Sequence, residues 1–294
     1  MMTDSRIFDQ NRIEKFRSRA FTRYGKKGDF LLNRLCEELQ ERLLTVDRKF
    51  SHAVDLFGHT GAGTEALVNT GKVAVVDSVE SDRRYTSGNH AFLQRGRELM
   101  DLPTGSYDLA ISLMSLSVTN DVPGVLNQIR KSLKPDGLFL GVMAGTGTLG
   151  ELRESLIEAE TELYGGVSPR VYPFTDIRDA GSLLQRAGFA MPVSDVENLT
   201  VRYDTIFQLI DDLRAMGMQN GLTGRSRRPV SRRFFERAAE IYAKRFSDPD
   251  GRIRASFSFI WLSGWAPDKS QQKPARPGTA TISLADVLGD KSTH

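Results

Sequence analysis

One stretch of the chain constrains the fold more than any other: a short apolar run, a glycine-rich turn, a helical segment, and a second apolar run that ends on a carboxylate. The first run and the turn are Ala53-Val54-Asp55-Leu56-Phe57-Gly58-His59-Thr60-Gly61-Ala62-Gly63, and the second run is Val73-Ala74-Val75-Val76-Asp77. Glycines allow the backbone to turn sharply beside a ligand, a helix start offers unpaired N–H groups, and an acid at the end of the next strand can accept hydrogen bonds from a ribose diol. The layout therefore indicates a site for a nucleoside-containing cofactor.

The turn also narrows the kind of nucleoside. It contains no G-x-G-x-x-G, and the chain contains no G-x-x-x-x-G-K-[ST]. Neither a pyrophosphate site nor a triphosphate loop is therefore predicted.

Composition excludes several classes of protein. Forty basic and 37 acidic side chains leave a net charge of +3, which is too small to predict a nucleic-acid partner. A single cysteine, Cys36, excludes an internal disulfide and fits a reducing compartment, and it lies in a helical pattern that predicts a buried thiol. The four histidines have no metal-ligand spacing, so no metal site is expected. No apolar run reaches the roughly 18 residues of a membrane span.

The N-terminal segment is rich in arginine but also carries Asp4, Asp9 and Glu14. Transit peptides are poor in acids, so a solvated helix face is favoured over a presequence. We expect a cytoplasmic protein if the source is bacterial, and a mitochondrial matrix protein if it is eukaryotic.

Apolar periodicity predicts an α/β fold. Strands are expected at 53–57, 73–76, 107–113 and 138–143, with a weaker strand at 91–94, and helices lie at 5–47 in two parts and at 122–133, 149–163 and 176–187. Near-continuous apolar strands that alternate with helices predict a mostly parallel sheet covered on both faces. Two further strands, 196–202 and 256–262, are expected to pair antiparallel at the sheet edge, with helices 205–216 and 231–246 between them.

These elements predict three parts of the chain: an N-terminal helical extension (1–48), an α/β domain (49–265) and an extended C-terminal tail (266–294). The helical insertion at about 203–250 is expected to form a lid over the substrate. The segment Lys131–Gly137 is predicted to be a tight turn before a strand, because it contains Pro135 and Gly137.

The turn after the first strand resembles motif I of class I S-adenosylmethionine-dependent methyltransferases, a D/E-x-x-x-G-x-G pattern found here from Asp55 to Gly61. His59 stands where that family usually has glycine. The Lys131–Gly137 turn is similar to the turn before the fifth strand in the same family.

Further stretches resemble one subfamily in order along nearly the whole chain: Ile7-Phe8-Asp9, Asp29-Phe30-Leu31, Asn120 to Gly124, Gly165 to Arg170, Asp204 with Leu213 to Gly217, and Ser270 to Pro274. Together they resemble the bacterial homologues of the methyltransferase-like assembly factor of respiratory complex I, a biotin-pathway-type group. The resemblance implies a Rossmann-like fold with a seven-stranded sheet, S-adenosylmethionine as cofactor, and a protein client such as a respiratory complex subunit.

The resemblance also implies which residues bind the cofactor. The turn supplies Phe57, Gly58, His59 and Gly61, the end of the fourth strand supplies Ser112 and Leu113, and Glu98 takes the position of an adenine contact. Asp55 either orients the cofactor's amino group or binds the N–H groups of the turn. Asp77 is the predicted ribose contact, with Glu80 as the alternative. Methyl transfer requires mainly that donor and acceptor are held in line, so no catalytic residue is predicted.

Several alternatives stay open. His59 could act as a base, stack on the ligand or bind nearby backbone, and Asn120 and Asp121 could face substrate or begin a helix. The run Arg225–Arg233, with five arginines in nine residues, suits a solvated loop, an acidic protein partner or phosphate. Ser117-Val118-Thr119 stands where the subfamily has a His-Trp pair, and the Arg95–Glu98 segment departs from the family pattern. The second hypothesis is therefore a non-catalytic assembly or interaction factor.

Overall fold

We describe the fold from a computed structural model, in which residues 6–86, 88 and 90–271 are described. Within them the helices are α1 (Gln10–Tyr24), α2 (Phe30–Thr45), α3 (Ala62–Asn69), α4 (Val122–Ser132), α5 (Gly150–Tyr164), α6 (Ile177–Arg186), α7 (Ile206–Ala215) and α8 (Arg232–Phe246). The strands are β1 (Phe50–Leu56), β2 (Val73–Glu80), β3 (Ala91–Gln94), β4 (Tyr107–Leu113), β5 (Leu133–Ala144), β6 (Ala190–Tyr203) and β7 (Ile253–Trp265).

The strands form one sheet of order β3-β2-β1-β4-β5-β7-β6. The first five strands are parallel, and β7 runs antiparallel between β5 and β6. The predicted mostly parallel seven-stranded sheet is therefore confirmed, including the weaker strand and the antiparallel pair at the edge. Successive strands are added on one side of β1 up to β3 and on its other side from β4 onward. The carboxyl ends of β1 and β4 therefore flank the crevice in which such sheets bind ligands.

Helices cover both faces of the sheet, as the apolar strands predict. On one face, residues of α2, α3, α5, α7 and α8 pack on the sheet in one core. On the other face α4 and α6 form a second core. Cys36 is buried in the first core, and burial raises the pKa of its thiol, which agrees with the predicted structural role.

The predicted boundaries need two corrections. β5 begins at Leu133 rather than 138, so the segment expected to be a tight turn is an irregular start of this strand, with Asp136 at a positive φ of 59°. β6 and β7 also extend well beyond their predicted ends, because they pair with each other from Ala190 to Tyr203. The predicted break between the two N-terminal helices is confirmed: it is a 3₁₀ turn, Gly25–Gly28, after which Asp29 caps α2 as expected.

A small third cluster closes the carboxyl edge of the sheet. Phe8 and Ile13 from the N-terminal segment contact Val118, Tyr172 and Leu222 there. The division of the chain into parts 1–48, 49–265 and 266–294 stays a prediction. The tail beyond residue 271 lies outside the described residues. No helix of the described ranges is both long and apolar enough to span a bilayer.

Candidate functional site

The turn after β1 wraps around a buried carboxylate. Asp55 is 1% exposed, and it accepts a hydrogen bond from the Thr64 hydroxyl at 2.9 Å. A Cβ atom on Gly58 or Gly63 would lie 3.0 Å or 2.8 Å from the Asp55 carboxylate oxygens, so only glycine fits at either position without displacing the acid. Burial raises the pKa of Asp55 to about 6. One carboxylate oxygen thus bonds to Thr64 in the first turn of α3, while Oδ1 of Asp55 is left without a partner in the described part of the chain.

Two bulky residues of the turn adopt the left-handed conformation that favours glycine. Phe57 has φ 57° and His59 has φ 65°, and Gly61 follows at 74°. Such a conformation costs a non-glycine residue about 1–3 kcal/mol. The strain therefore lies within the turn, and one of the two residues, His59, stands where the methyltransferase pattern usually has glycine.

The His59 ring is packed between aromatic side chains. Its centroid lies 4.4 Å from that of Tyr85 and 6.1 Å from that of Phe21. Burial lowers the pKa of His59 well below its usual value, so the imidazole is neutral, and its Nδ1 has no partner among the described residues. A buried neutral ring is a poor general base, which favours a packing role over the catalytic role that the sequence left open.

Glu80 ends β2 beside this turn. Its carboxylate is buried and accepts a hydrogen bond from the backbone N–H of His59. Burial raises the pKa of Glu80, and the nearby guanidinium of Arg97 opposes that shift. Arg97 also lies over the Phe57 ring at 5.0 Å.

The structure places Asp77 away from this edge. Asp77 lies three residues before the end of β2, about 10 Å along a strand. Its carboxylate accepts a hydrogen bond from the Tyr107 hydroxyl at 3.0 Å and lies 3.0 Å from Nε2 of His52. Glu80, the alternative acid, is the one that reaches the turn, which favours it over Asp77 as the candidate ribose contact.

Glu98 has a structural partner instead of an open position for adenine. Its Oε1 accepts hydrogen bonds from the backbone N–H and the side-chain amide of Asn120, both at 2.8 Å. Asn120 in turn accepts a hydrogen bond from the Phe8 N–H at 2.8 Å. These contacts hold the N-terminal segment against the site. Asp121, the next residue, caps α4, so neither Asn120 nor Asp121 lines the cavity.

Of the two predicted site residues at the end of β4, Leu113 faces the site and Ser112 does not. Leu113 lines the cavity described below, whereas Ser112 is buried with its hydroxyl 2.7 Å from that of Ser115. Ser117 also lines the cavity, although its hydroxyl accepts a hydrogen bond from the Ala144 N–H at 2.9 Å.

These elements enclose a cavity of about 50 Å³ at the carboxyl edge of the sheet. It is lined by Ile13, Arg17, Asp29, Leu31, Leu32, Phe57, Gly58, His59, Leu113, Met114, Ser117, Val118, Tyr172, Met216, Gly217 and Met218. Of the predicted cofactor residues it includes Phe57, Gly58, His59 and Leu113. Sequence reasoning missed Ile13 and Arg17 of α1, Tyr172 and the Met216–Met218 segment, although the last follows the first helix of the predicted lid insertion.

Helix α1 separates this cavity from a second one. The second cavity, of about 440 Å³, is lined by Asn11, Glu14, Lys15, Ser18, Ser81, Asp82, Arg84 and Tyr85. Ile13 and Arg17 of the same helix line the first cavity. Tyr85, which lines the second cavity, also lies against the ring of His59, which lines the first.

The polar groups around the first cavity fit S-adenosylmethionine, but the present space does not hold it. Buried nitrogens of Arg17 and Arg97 and Oδ1 of Asp55 have no hydrogen-bond partner within the described ranges. Guanidinium groups suit the cofactor's carboxylate, Asp55 suits its ammonium group, and Glu80 suits its ribose diol. Sites for ligands of this size span about 300–1,000 Å³. At about 50 Å³, the first cavity is smaller than such a site.

Comparison with known proteins identifies relatives of the chain. Residues 29–192 match the methyltransferase domain family. The chain is 35% identical to arginine-hydroxylase NDUFAF5, mitochondrial, of Rattus norvegicus over 271 residues, which cover 89% of this chain and 77% of the relative. It is 27% identical to malonyl-[acyl-carrier protein] O-methyltransferase of Laribacter hongkongensis over 285 residues, 90% of this chain and 92% of the relative.

The fold itself is also found among solved structures. The YcgJ protein of Bacillus subtilis matches with a TM-score of 0.52 at 17% identity, over 79% of this chain and 99% of that one. At this level of identity the likeness concerns the fold alone.

Proposed function

Because the chain belongs to the methyltransferase domain family and, within it, to the family of arginine-hydroxylase NDUFAF5, we propose that it is an S-adenosylmethionine-dependent enzyme that modifies an arginine side chain of a protein client. The cofactor of the methyltransferase family is S-adenosylmethionine, as the sequence indicated. The single observation that carries the proposal is the set of buried polar atoms without partners around the turn after β1. A site without a polar ligand would leave these groups desolvated, which is unfavourable.

When bound, S-adenosylmethionine supplies an electrophilic methyl group. In the proposed site Glu80 binds the ribose, Arg17 and Arg97 hold the carboxylate, and the backbone of Phe57 and Gly58 shapes the wall. The apolar side chains of Leu113, Met114 and Met218 exclude water from the reacting atoms. Positioning and exclusion of water are the contributions that methyl transfer needs from a protein.

The client and its place in the cell are part of the proposal. The NDUFAF5 relative is named as mitochondrial and as an arginine-hydroxylase. We take a respiratory complex subunit as the client, in the cytoplasm of a bacterium or in the mitochondrial matrix of a eukaryote. Hydroxylation would consume an oxidant whereas methylation consumes only the cofactor, so the mass of the modified client, with one added oxygen or one added methylene, distinguishes the two reactions.

A second candidate function has support of its own. The malonyl-carrier methyltransferase relative covers 90% of this chain, and its name implies transfer to a carboxylate on an acyl carrier. The non-catalytic assembly factor remains the third, and the cavity of only about 50 Å³ favours it if that cavity never opens.

Titration calorimetry with S-adenosylmethionine and its demethylated product tests the proposal. We expect the wild-type chain and the control Asp77→Asn to bind the cofactor, because Asp77 is occupied by Tyr107 and His52. Glu80→Gln keeps the shape but removes the charge, and a lost hydrogen bond to a charged group weakens binding about tenfold or more. No detectable heat from the wild-type protein would reject the enzyme and leave the assembly factor.

A further inference from the structure

A groove lies next to the cofactor cavity: Tyr172 lines the cavity, and its neighbours Val171 and Pro173 line the groove. It consists of a space of about 470 Å³ and an adjoining space of about 330 Å³, which share Ser168 and Arg170. We call it the Ser168 groove. It is lined by Arg6, Ile7, Arg153, Leu156, Ile157, Pro169, Val171, Pro173, Leu222, Thr223 and Gly224 at one end, and by Glu160, Tyr164, Gly166, Val167, Ser226, Arg228, Pro229 and Val230 at the other.

The groove concentrates exposed apolar side chains. Its lining includes Ile7, Ile157, Tyr164, Val167 and Val230, which are 49%, 43%, 49%, 61% and 38% exposed. A contiguous exposed apolar surface of this kind marks an interaction site more often than scattered single residues do.

The charge of the groove is positive. Glu160 is the acid among its lining residues; it forms an ion pair with Arg170 at 2.7 Å and accepts a hydrogen bond from the Ser168 hydroxyl at 2.8 Å. Arg153 donates to the Tyr172 carbonyl, and neither it nor Arg228 has a carboxylate within ion-pair distance in the described part of the chain. Arg227 lies beside Arg228 in the arginine-rich run that the cofactor site does not use. The groove thus combines an aliphatic floor with unbalanced guanidinium groups.

The backbone of one wall is also available. Residues 167–174 form no helix and no strand, and the N–H groups of Arg170 and Val171 have no partner among the described residues. Val171 and Pro173 line the groove, while Tyr172 between them lines the cofactor cavity. One buried cluster reaches both spaces: its members Ile13, Val118 and Tyr172 line the cavity, and its member Leu222 lines the groove.

We propose that the Ser168 groove binds an extended acidic segment of the protein client, with aliphatic side chains on the floor and carboxylates on Arg153 and Arg228. The inference rests on the proposed function, since it supplies the docking site for the client of the same enzyme. An extended peptide suits this wall, because an irregular backbone whose N–H groups lack partners can donate hydrogen bonds to an added segment. RNA is disfavoured because stacking platforms for bases do not alternate with the arginines.

Fluorescence anisotropy on the full chain tests the proposal with three labelled probes: a ten-residue peptide that alternates leucine and aspartate, the same peptide with lysine for aspartate, and a single-stranded RNA of equal negative charge. We expect the acidic peptide to bind, to bind more weakly as salt increases, and to outcompete the RNA. Arg228→Glu and Ile157→Asp should each weaken its binding about tenfold.

Two matched variants serve as controls. Arg186→Glu changes an exposed arginine of α6, and Leu44→Asp changes a leucine of α2 that is 61% exposed, and neither residue lines the groove. Both should bind the acidic peptide as the wild type does. Equal loss in these controls, unchanged binding in the groove variants, or tighter binding of the RNA would overturn the proposal. Calorimetry with S-adenosylmethionine on the same variants separates the proposed cofactor site from the proposed peptide groove. The groove variants should bind the cofactor as the wild type does, and peptide binding is measured without the cofactor.

Discussion

The backbone N–H of His59 donates a hydrogen bond to the buried carboxylate of Glu80, which joins the turn after β1 to the last residue of β2. The ring of the same histidine lies against Tyr85 and lines the first cavity. The acid proposed to bind the ribose and a ring that lines the cavity thus belong to two residues joined by one hydrogen bond, so we expect cofactor binding and movement of the ring to be coupled.

Replacing His59 with glycine should improve cofactor binding. Glycine adopts φ 65° without strain and removes the ring from the cavity, so we expect roughly tenfold tighter binding of S-adenosylmethionine by calorimetry. Loss of the Tyr85 and Phe21 contacts opposes the relief of backbone strain, so the free energy of unfolding should change by less than about 2 kcal/mol. Asp101→Gly is the control, since Asp101 also has a positive φ of 44° but does not line the cavity. Weaker binding in His59→Gly would show that the imidazole contacts the ligand.

Alanine at Gly63 should destabilise the protein although the residue is helical. In an ordinary helix, glycine to alanine gains up to about 1 kcal/mol. Here the new Cβ would lie 2.8 Å from Oδ2 of Asp55, and we expect a loss of about 1–3 kcal/mol in urea unfolding. Gly150→Ala, at the start of α5 with no heavy atom within 4 Å of its Cβ position, should be neutral or stabilising. Similar results for the two variants would contradict the close approach of Asp55 to α3.

The buried Asp55 should make stability depend on pH. Its pKa is about 6 in the folded protein against an ordinary value of 3.8, so the folded state binds more protons between these values. The stability is full below about pH 4 and falls as the pH rises to about 6, by about 3 kcal/mol at most. Asp55→Asn keeps an oxygen for Thr64 and cannot ionise, so its stability relative to wild type should rise over this range.

Urea unfolding of both proteins from pH 4 to pH 7 measures this difference. Asp29, whose pKa burial also raises to about 6, titrates in the same window, so Asp29→Asn should show a separate change of the same sign. A constant difference between wild type and Asp55→Asn at all pH values would show that the carboxyl group is not desolvated.

Asn120 should control how firmly the N-terminal segment covers the site. Asn120→Ala removes the hydrogen bonds to Phe8 and leaves Glu98 without two donors, at a cost of about 1–3 kcal/mol. We expect faster amide hydrogen exchange in α1, the helix that separates the two cavities. Asn127→Ala, which changes an amide on α4 that accepts only a hydrogen bond from Arg130, is the control. If α1 exchanged at the wild-type rate in both variants, Asn120 would not be its fastening.

The sequence by itself determined the architecture. Apolar runs that alternate with helices are buried when they form a parallel sheet with helices on both faces. The glycine turn after β1 indicates the edge of that sheet at which a ligand binds. The positions of Phe57, Gly58, His59 and Leu113 at the cavity follow from the same pattern, since each lies at or just beyond the end of a strand.

Only the tertiary structure decided which acid lies at the turn after β1 and which segments of the chain pack over that edge of the sheet. A strand's last residue depends on how far its neighbours continue to pair, and β2 pairs to Glu80, so Asp77 ends up at Tyr107 instead of at the turn. The cover depends on contacts between distant parts of the chain, Phe8 with Asn120 and Ile13 with Tyr172. Local patterns along a sequence report which residues are buried, but not which distant residues meet, because that is set by the packing of the whole chain.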